Sequence, residues 1–161
     1  MPRHANGHRA AAEIEPRADE FLAGQRLASL ASLPGVVVYQ RVVTPDEKIR
    51  YTYISEGARD IFGVSPAEIL SDPEALFGRH SDEYKARFRE RLVAASKALT
   101  TWDVEASIVT RDGRKKYTHA IARPERQPDG SVLWTGIILD ETRTREAVVE
   151  GLSQGFLLYG A

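Results

Sequence analysis

The sequence predicts an α+β domain in which an early β-hairpin and a late three-stranded meander flank a central block of helices. Three observations carry that prediction. Residues 35–43 (GVVVYQRVV) and 49–55 (IRYTYIS) are rich in β-branched and aromatic residues, and the second alternates Ile49, Tyr51 and Tyr53 with Arg50 and Thr52. Between them and residue 99 lie two serine caps, at Ser65-Pro66-Ala67-Glu68 and at Ser81-Asp82-Glu83. From Trp102 onward period two returns, broken by Arg111-Asp112-Gly113-Arg114 and Pro128-Asp129-Gly130, both sequences that suit tight turns.

Residues 1–14 are small and basic with no apolar period, and read as a disordered leader. Residues 15–33 read as an amphipathic helix. Pro16 suits its first turn, Ala18, Phe21, Leu22, Leu27, Leu30 and Ala31 form its apolar stripe, and Leu33-Pro34-Gly35 stops it. Thr44-Pro45-Asp46-Glu47 turns the hairpin. A short helix ending at Gly63 and a second from Ser65 to Leu70 follow. The helix capped by Ser81 is longer, with acids in its first turn, where the helix dipole favours them, and a buried stripe of Tyr84, Phe88, Leu92, Ala95 and Leu99. In the meander, Trp102, Val104, Ala106 and Ile108 alternate with Asp103, Glu105 and Ser107, so one face of that strand is buried. The last strand is apolar on both faces, which implies cover on both. Residues 34–142 are expected to form the domain proper.

Composition bounds the function. The 161 residues are 42% apolar and 28% charged, enough for one domain and too few for two. No cysteine is present, which removes disulfides, thiolate metal sites, a cysteine nucleophile and a flavin-cysteinyl adduct. Lys+Arg 22 against Asp+Glu 23 argues against a nucleic-acid partner bound through a broad basic surface. The longest apolar runs fall far short of the roughly 20 residues of a spanning helix, and the N-terminus lacks the apolar segment of a secretory signal, so no membrane partner and a cytoplasmic location are expected.

Four pieces of the chain, LPGVVVYQ (33–40), YISEGARDIFGVSPAEIL (53–70), TRDGRKKYTHAIARP (110–124) and DGSVLWTGIILDET (129–142), resemble the PAS domain family in their order and spacing. The last two resemble its C-terminal PAC half. The resemblance implies a five-stranded antiparallel sheet of order 2-1-5-4-3, with short helices enclosing a pocket on one face and flanking N- and C-terminal helices. It also implies a sensory or dimerisation role ahead of an output in the same chain, such as a histidine kinase or a cyclic-nucleotide enzyme. Asp140-Glu141-Thr142 resembles the family's D-I-T signal-transfer motif, so Asp140 and Thr142 are assigned that role, with Glu141 in place of isoleucine. Residues 143–161 are expected to be a linker helix and the start of a following, truncated PAS domain.

Departures from the family pattern shape the cofactor expectation. His80-Ser81-Asp82 stands where H-P-x-D is common. No G-x-N-C-R-F counterpart lies near residues 71–76, and residues 84–99 contain no axial histidine, so a photoactive flavin and a haem are both disfavoured. No cofactor is assigned, and an unidentified small molecule is left open as a ligand.

By strand parity and family comparison, Tyr51, Tyr53, Trp102, Ile108, Thr118, Trp134 and Ile138 are expected to line a pocket, with Phe77 and Phe88 opposing them. Tyr53, Trp102, Thr118 and Trp134 would supply its polar anchors. A homodimer is expected through Phe21, Leu22, Leu27 and Leu30 of the leading helix together with Tyr117, His119, Ile121, Leu133, Ile137 and Leu139 of the outer sheet face. No metal site is assigned. His4 and His8 are four apart in the leader, and His80 precedes a helix cap. No nucleophile, base and orienter stand together, so no catalytic residue is assigned. The competing reading is a small pocket enzyme of the isomerase or hydratase kind, which requires a buried Asp or Glu. A third is a PAS module that binds no ligand and serves only assembly.

Overall fold

The structure, a computed structural model, describes residue 26 and residues 28–159. Its first labelled elements are β1 (Val36–Val43), β2 (Ile49–Ile54) and three short helices, α1 (Ala58–Phe62), α2 (Pro66–Ser71) and α3 (Glu74–Phe77). The long α4 (Asp82–Ala98) leads to β3 (Trp102–Val109), β4 (Lys115–Arg126) and β5 (Val132–Asp140), and α5 (Thr142–Tyr159) leaves the sheet. The strands form one antiparallel sheet of order β2-β1-β5-β4-β3, as the resemblance implies.

Local chemistry accounts for most of these elements. Ser65 Oγ accepts from the Glu68 amide and Ser81 Oγ from the Tyr84 amide, so both expected caps form. Gly63 closes α1 with φ 73°, and Gly113 and Gly130 both have φ 87° in the meander turns. The apolar pattern does not single out α3. It is one turn long, starts after Pro73, and its first amide contacts include Glu74 N donating to Asp72 Oδ1 at 3.0 Å.

The core lies between the sheet and α1–α4. Val37, Tyr39 and Val43 of β1, Tyr51 and Ile54 of β2, Trp102 and Ile108 of β3, Ala122 of β4, and Val132, Trp134 and Ile138 of β5 face it. Gly136 is required in the centre, because a Cβ there would stand 2.4 Å from the Ile121 carbonyl oxygen and 2.5 Å from the Ala122 Cβ.

One expectation changes here. Tyr53 does not share the inward face with Tyr51. Gln40 pairs with Tyr53 but Arg41 with Tyr51, so a bulge at Thr52 shifts the parity of β2, and Ile54 takes the inward place while Tyr53 is 37% exposed. Beyond the sheet, α5 runs from Thr142 through Tyr159, where the linker helix is expected, and satisfies its amides and carbonyls internally. Of the leading helix, residues 28–31 are helical, and the Ser32 amide closes the turn on the Ala28 carbonyl at 3.1 Å.

Candidate functional site

The helix-side interior is a chain of aromatic rings. Tyr39, Tyr51, Phe77, Phe88, Trp102 and Trp134 follow one another with centroid separations of 5.9, 5.8, 4.3, 5.6 and 6.4 Å. Strands β1, β2, β3 and β5 supply four of these rings by inward parity and α3 and α4 supply the phenylalanines. Of the residues expected to line a pocket, Tyr51, Phe77, Phe88, Trp102, Ile108, Thr118, Trp134 and Ile138 are buried on this face, and Tyr53 is not. Two of the four expected polar anchors are already satisfied within the chain. Trp134 Nε1 donates to Ser96 Oγ at 2.9 Å, and Thr118 Oγ1 donates to the Ala106 carbonyl at 3.3 Å.

Arg41 lies in the middle of the rings and is 3% exposed. Its Cζ stands 5.1 Å from the Trp102 centroid, 5.3 Å from Tyr39, 5.5 Å from Phe88 and 5.7 Å from Trp134. Burying a cation costs several kcal/mol, and each aromatic face returns about 0.5–2 kcal/mol. Hydrogen bonding does not complete the compensation, because Nε and Nη2 of Arg41 and the Tyr39 hydroxyl have no hydrogen-bond partner. Burial raises the pKa of Tyr39 and Tyr51, against the pull of Arg41, and lifts Tyr84 to about 12. All three phenols are therefore neutral donors at neutral pH. Sequence reasoning missed Arg41 and Tyr39. The signal was present, since Val37, Tyr39, Arg41 and Val43 share one parity of β1.

Two surface clefts flank the rings, of about 260 Å³ beside Tyr84, Phe88, Arg91 and Trp102, and about 370 Å³ beside Ile49, Phe77, Tyr84 and Phe88. Phe88 and Tyr84 line both clefts. His80 stacks on Tyr84 at 4.1 Å, and burial lowers its pKa to about 4, so it is a neutral packing residue at neutral pH.

On the far end of β5 the outgoing helix is tied to the sheet. Asp140 Oδ1 accepts from the Thr142 amide at 3.0 Å and from the Thr142 hydroxyl, and Thr142 Oγ1 accepts from the Tyr117 amide at 3.0 Å. Burial pushes the Asp140 carboxyl up, but the Thr142 contacts and Lys116, whose Nζ is 3.4 Å away, outweigh it and hold the pKa low. Glu141 turns to the outer face, where its carboxylate lies 3.2 Å from His119 Nδ1, while Asp103 lies 2.6 Å from His119 Nε2. Arg145 pairs with Glu105 and stands 5.7 Å over Tyr117, so the first turns of α5 cover Tyr117 and His119 from within the chain. Ile121, Leu133, Ile137 and Leu139 are half-buried on the same face, Leu30 is 49% exposed, and Phe21, Leu22 and Leu27 lie outside the described residues, as do His4 and His8. Glu105, His119 and Glu141 have ligand atoms within 4.8 Å of one another, yet these groups are engaged with Arg145 and Asp103 or with each other. Buried polar residues among those described are Arg41, Ser55, Ser96, Thr110, Thr118 and Ser131, a set without the carboxylate that a pocket enzyme would need.

A family model described as the PAS fold matches residues 51–138, more than half of the chain. The chain belongs to the PAS fold family. No curated protein matches it. Among solved structures, a domain of the putative light and redox sensing histidine kinase from Haloarcula marismortui is 16% identical with TM-score 0.56, covering 72% of this chain and 97% of its own. The N-terminal domain of a diguanylate cyclase with PAS/PAC sensor from Marinobacter aquaeolei is 14% identical with TM-score 0.57, covering 68% and 98%. The LOV domain of a blue-light activated histidine kinase from Erythrobacter litoralis is 17% identical with TM-score 0.50, again covering 68% and 98%. Two of these domains come from histidine kinases and one from a diguanylate cyclase, and at 14–17% identity the likeness is one of fold.

The third likeness corrects the cofactor expectation. LOV domains are the flavin-binding members of the PAS family and share this fold, so the missing motif near residues 71–76 does not justify setting flavin aside. The absence of cysteine bears only on the cysteinyl adduct. Among the described residues no helix is long and apolar enough to cross a membrane.

Proposed function

We propose that this PAS domain is a cytoplasmic sensory and dimerisation module that couples the state of its aromatic interior to an output domain further along the same chain, in the manner of a sensor histidine kinase. The observation that carries this reading is the path of β5. Trp134 and Ile138 of one strand face the ringed interior, and two residues later Asp140 holds the first turn of α5 through Thr142 and reaches Lys116. A shift of β5 in response to the interior therefore moves the anchor of the outgoing helix, and bistability at that anchor biases the helices beyond it. Assembly as a homodimer uses the half-buried outer face around Ile121, Leu133 and Ile137, together with Phe21, Leu22, Leu27 and Leu30.

Hydrogen exchange of the whole chain tests the coupling. In Asp140→Ala the Tyr117 amide and the first turn of α5 are expected to exchange faster while the amides of β1 and β5 keep their protection. Unchanged exchange at Tyr117 and α5 refutes the coupling. Native mass spectrometry tests the assembly, where a dimer that Ile137→Glu converts to monomer is expected and a wild-type monomer refutes it.

A further inference from the structure

A buried guanidinium with unmade hydrogen bonds is an unfinished ion pair. Arg41 is enclosed by Tyr39, Phe88, Trp102 and Trp134, its Nε and Nη2 have no partner, and the Tyr39 hydroxyl is equally unpaired. Among the described residues no ion pair includes Arg41, so the interior carries one uncompensated positive charge. We propose that the aromatic interior is a binding site for a small organic monocarboxylate, whose carboxylate pairs with Arg41 and Tyr39 and whose apolar or aromatic body replaces part of the ring packing.

The chemistry selects this class on three grounds. Nε–H and an Nη–H of one guanidinium present a planar fork that matches both oxygens of a carboxylate. One buried cation balances one anionic charge, whereas a phosphate dianion or a dicarboxylate would leave an excess negative charge against the rings, where the neutral phenols add no cation. The walls are otherwise aromatic, which disfavours a strongly hydrated anion and suits an apolar body. Access runs past Phe88. Its ring is 5.5 Å from the Arg41 Cζ and lines both flanking clefts, so a rotamer change of Phe88 or a small shift of α4 would join a cleft to the guanidinium.

This inference rests on the sensory reading and deepens it by naming the ligand class. Its test is a titration of the whole chain with benzoate, phenylacetate and octanoate, each beside its neutral amide, followed by the fluorescence of Trp102 and Trp134, which flank Arg41. Saturable quenching is expected with at least one carboxylate, with the matching amide weaker by about tenfold or more. Arg41→Gln removes a buried charge with unmade bonds, so it is expected to fold at least as well, checked by circular dichroism and urea midpoint, and to lose the preference for acid over amide. Arg41→Lys keeps the charge without the fork and is expected to fall between the two. Equal binding of acid and amide, an undiminished preference in Arg41→Gln, or no saturable response to any of the three acids at millimolar concentration overturns the inference. Each of those results leaves the hydrogen-exchange and mass-spectrometric tests of the sensory reading untouched.

Discussion

Replacing Ser96 by alanine isolates one hydrogen bond at the centre of the domain. Trp134 is fully buried, and its Nε1 has Ser96 Oγ as its partner at 2.9 Å, while the same hydroxyl donates to the Leu92 carbonyl one turn back at 2.8 Å. In Ser96→Ala the indole N–H is left buried and unpaired, which costs about 1–3 kcal/mol. Alanine recovers about 0.5 kcal/mol of helix propensity, and the Leu92 carbonyl loses only a secondary donor. The net expectation is a loss of about 1–2 kcal/mol and a fall in Tm of about 3–6 °C for a chain of this size. Urea unfolding followed by circular dichroism reads it as a lower midpoint with an unchanged m-value. The decisive control is Trp134→Phe, which removes the donor. In that background Ser96→Ala is expected to be close to neutral, giving a coupling energy of about 1–2 kcal/mol. An equal cost in both backgrounds would mean that the serine acts through α4 alone and would refute the reasoning.

The remaining predictions concern titration and close packing. His80 has its pKa lowered to about 4, so the fold holds it neutral. Stability is full above pH 6.5, its unfolded value, and falls as pH drops from there toward 4; His80→Gln should flatten that slope in urea midpoints measured against pH. His119 has the opposite sign, because the hydrogen bond to Asp103 foremost raises its pKa, burial opposes it, and Glu141 adds to the rise. The stability it contributes is full below pH 6.5 and is lost as pH rises through the raised value. Imidazole NMR should find that pKa above the ordinary one and show it falling in Asp103→Asn, and a value at or below 6.5 in the wild type would contradict the geometry. Gly136→Ala forces a Cβ within 2.4 Å of a backbone oxygen on β4, which cannot yield as a side chain tip can. A loss of about 1–3 kcal/mol is expected in the urea midpoint, and a neutral result would mean that β4 and β5 separate freely.

Much of this architecture was legible in local chemistry. The serine caps at Ser65 and Ser81, the positive-φ glycines at 113 and 130, and the period-two face of β3 each encode their element within a few residues. Six of the seven strand residues expected on the inner face lie there for the same reason, since parity along a strand needs no knowledge of its neighbours. Tyr53 fails that logic because a bulge depends on the register between two strands, and nothing in residues 49–55 alone states that Gln40 and Arg41 skip Thr52. The ligand anchors fail similarly. Trp134 and Thr118 found partners in Ser96 and Ala106, 38 and 12 residues distant, so whether an inward polar group is free or satisfied is a question of packing.

The sequence by itself determined the α+β class, the turns, the caps and the set of apolar residues that must leave water, all of which follow from backbone preference and periodicity over short windows. Only the tertiary structure decided that Arg41 ends among four aromatic rings with bonds unmade, that α5 is tied to β4 through Thr142, and that His119 sits between two carboxylates. Those are relations between segments tens of residues apart. Burial and charge pairing belong to the folded neighbourhood, and no residue carries them alone.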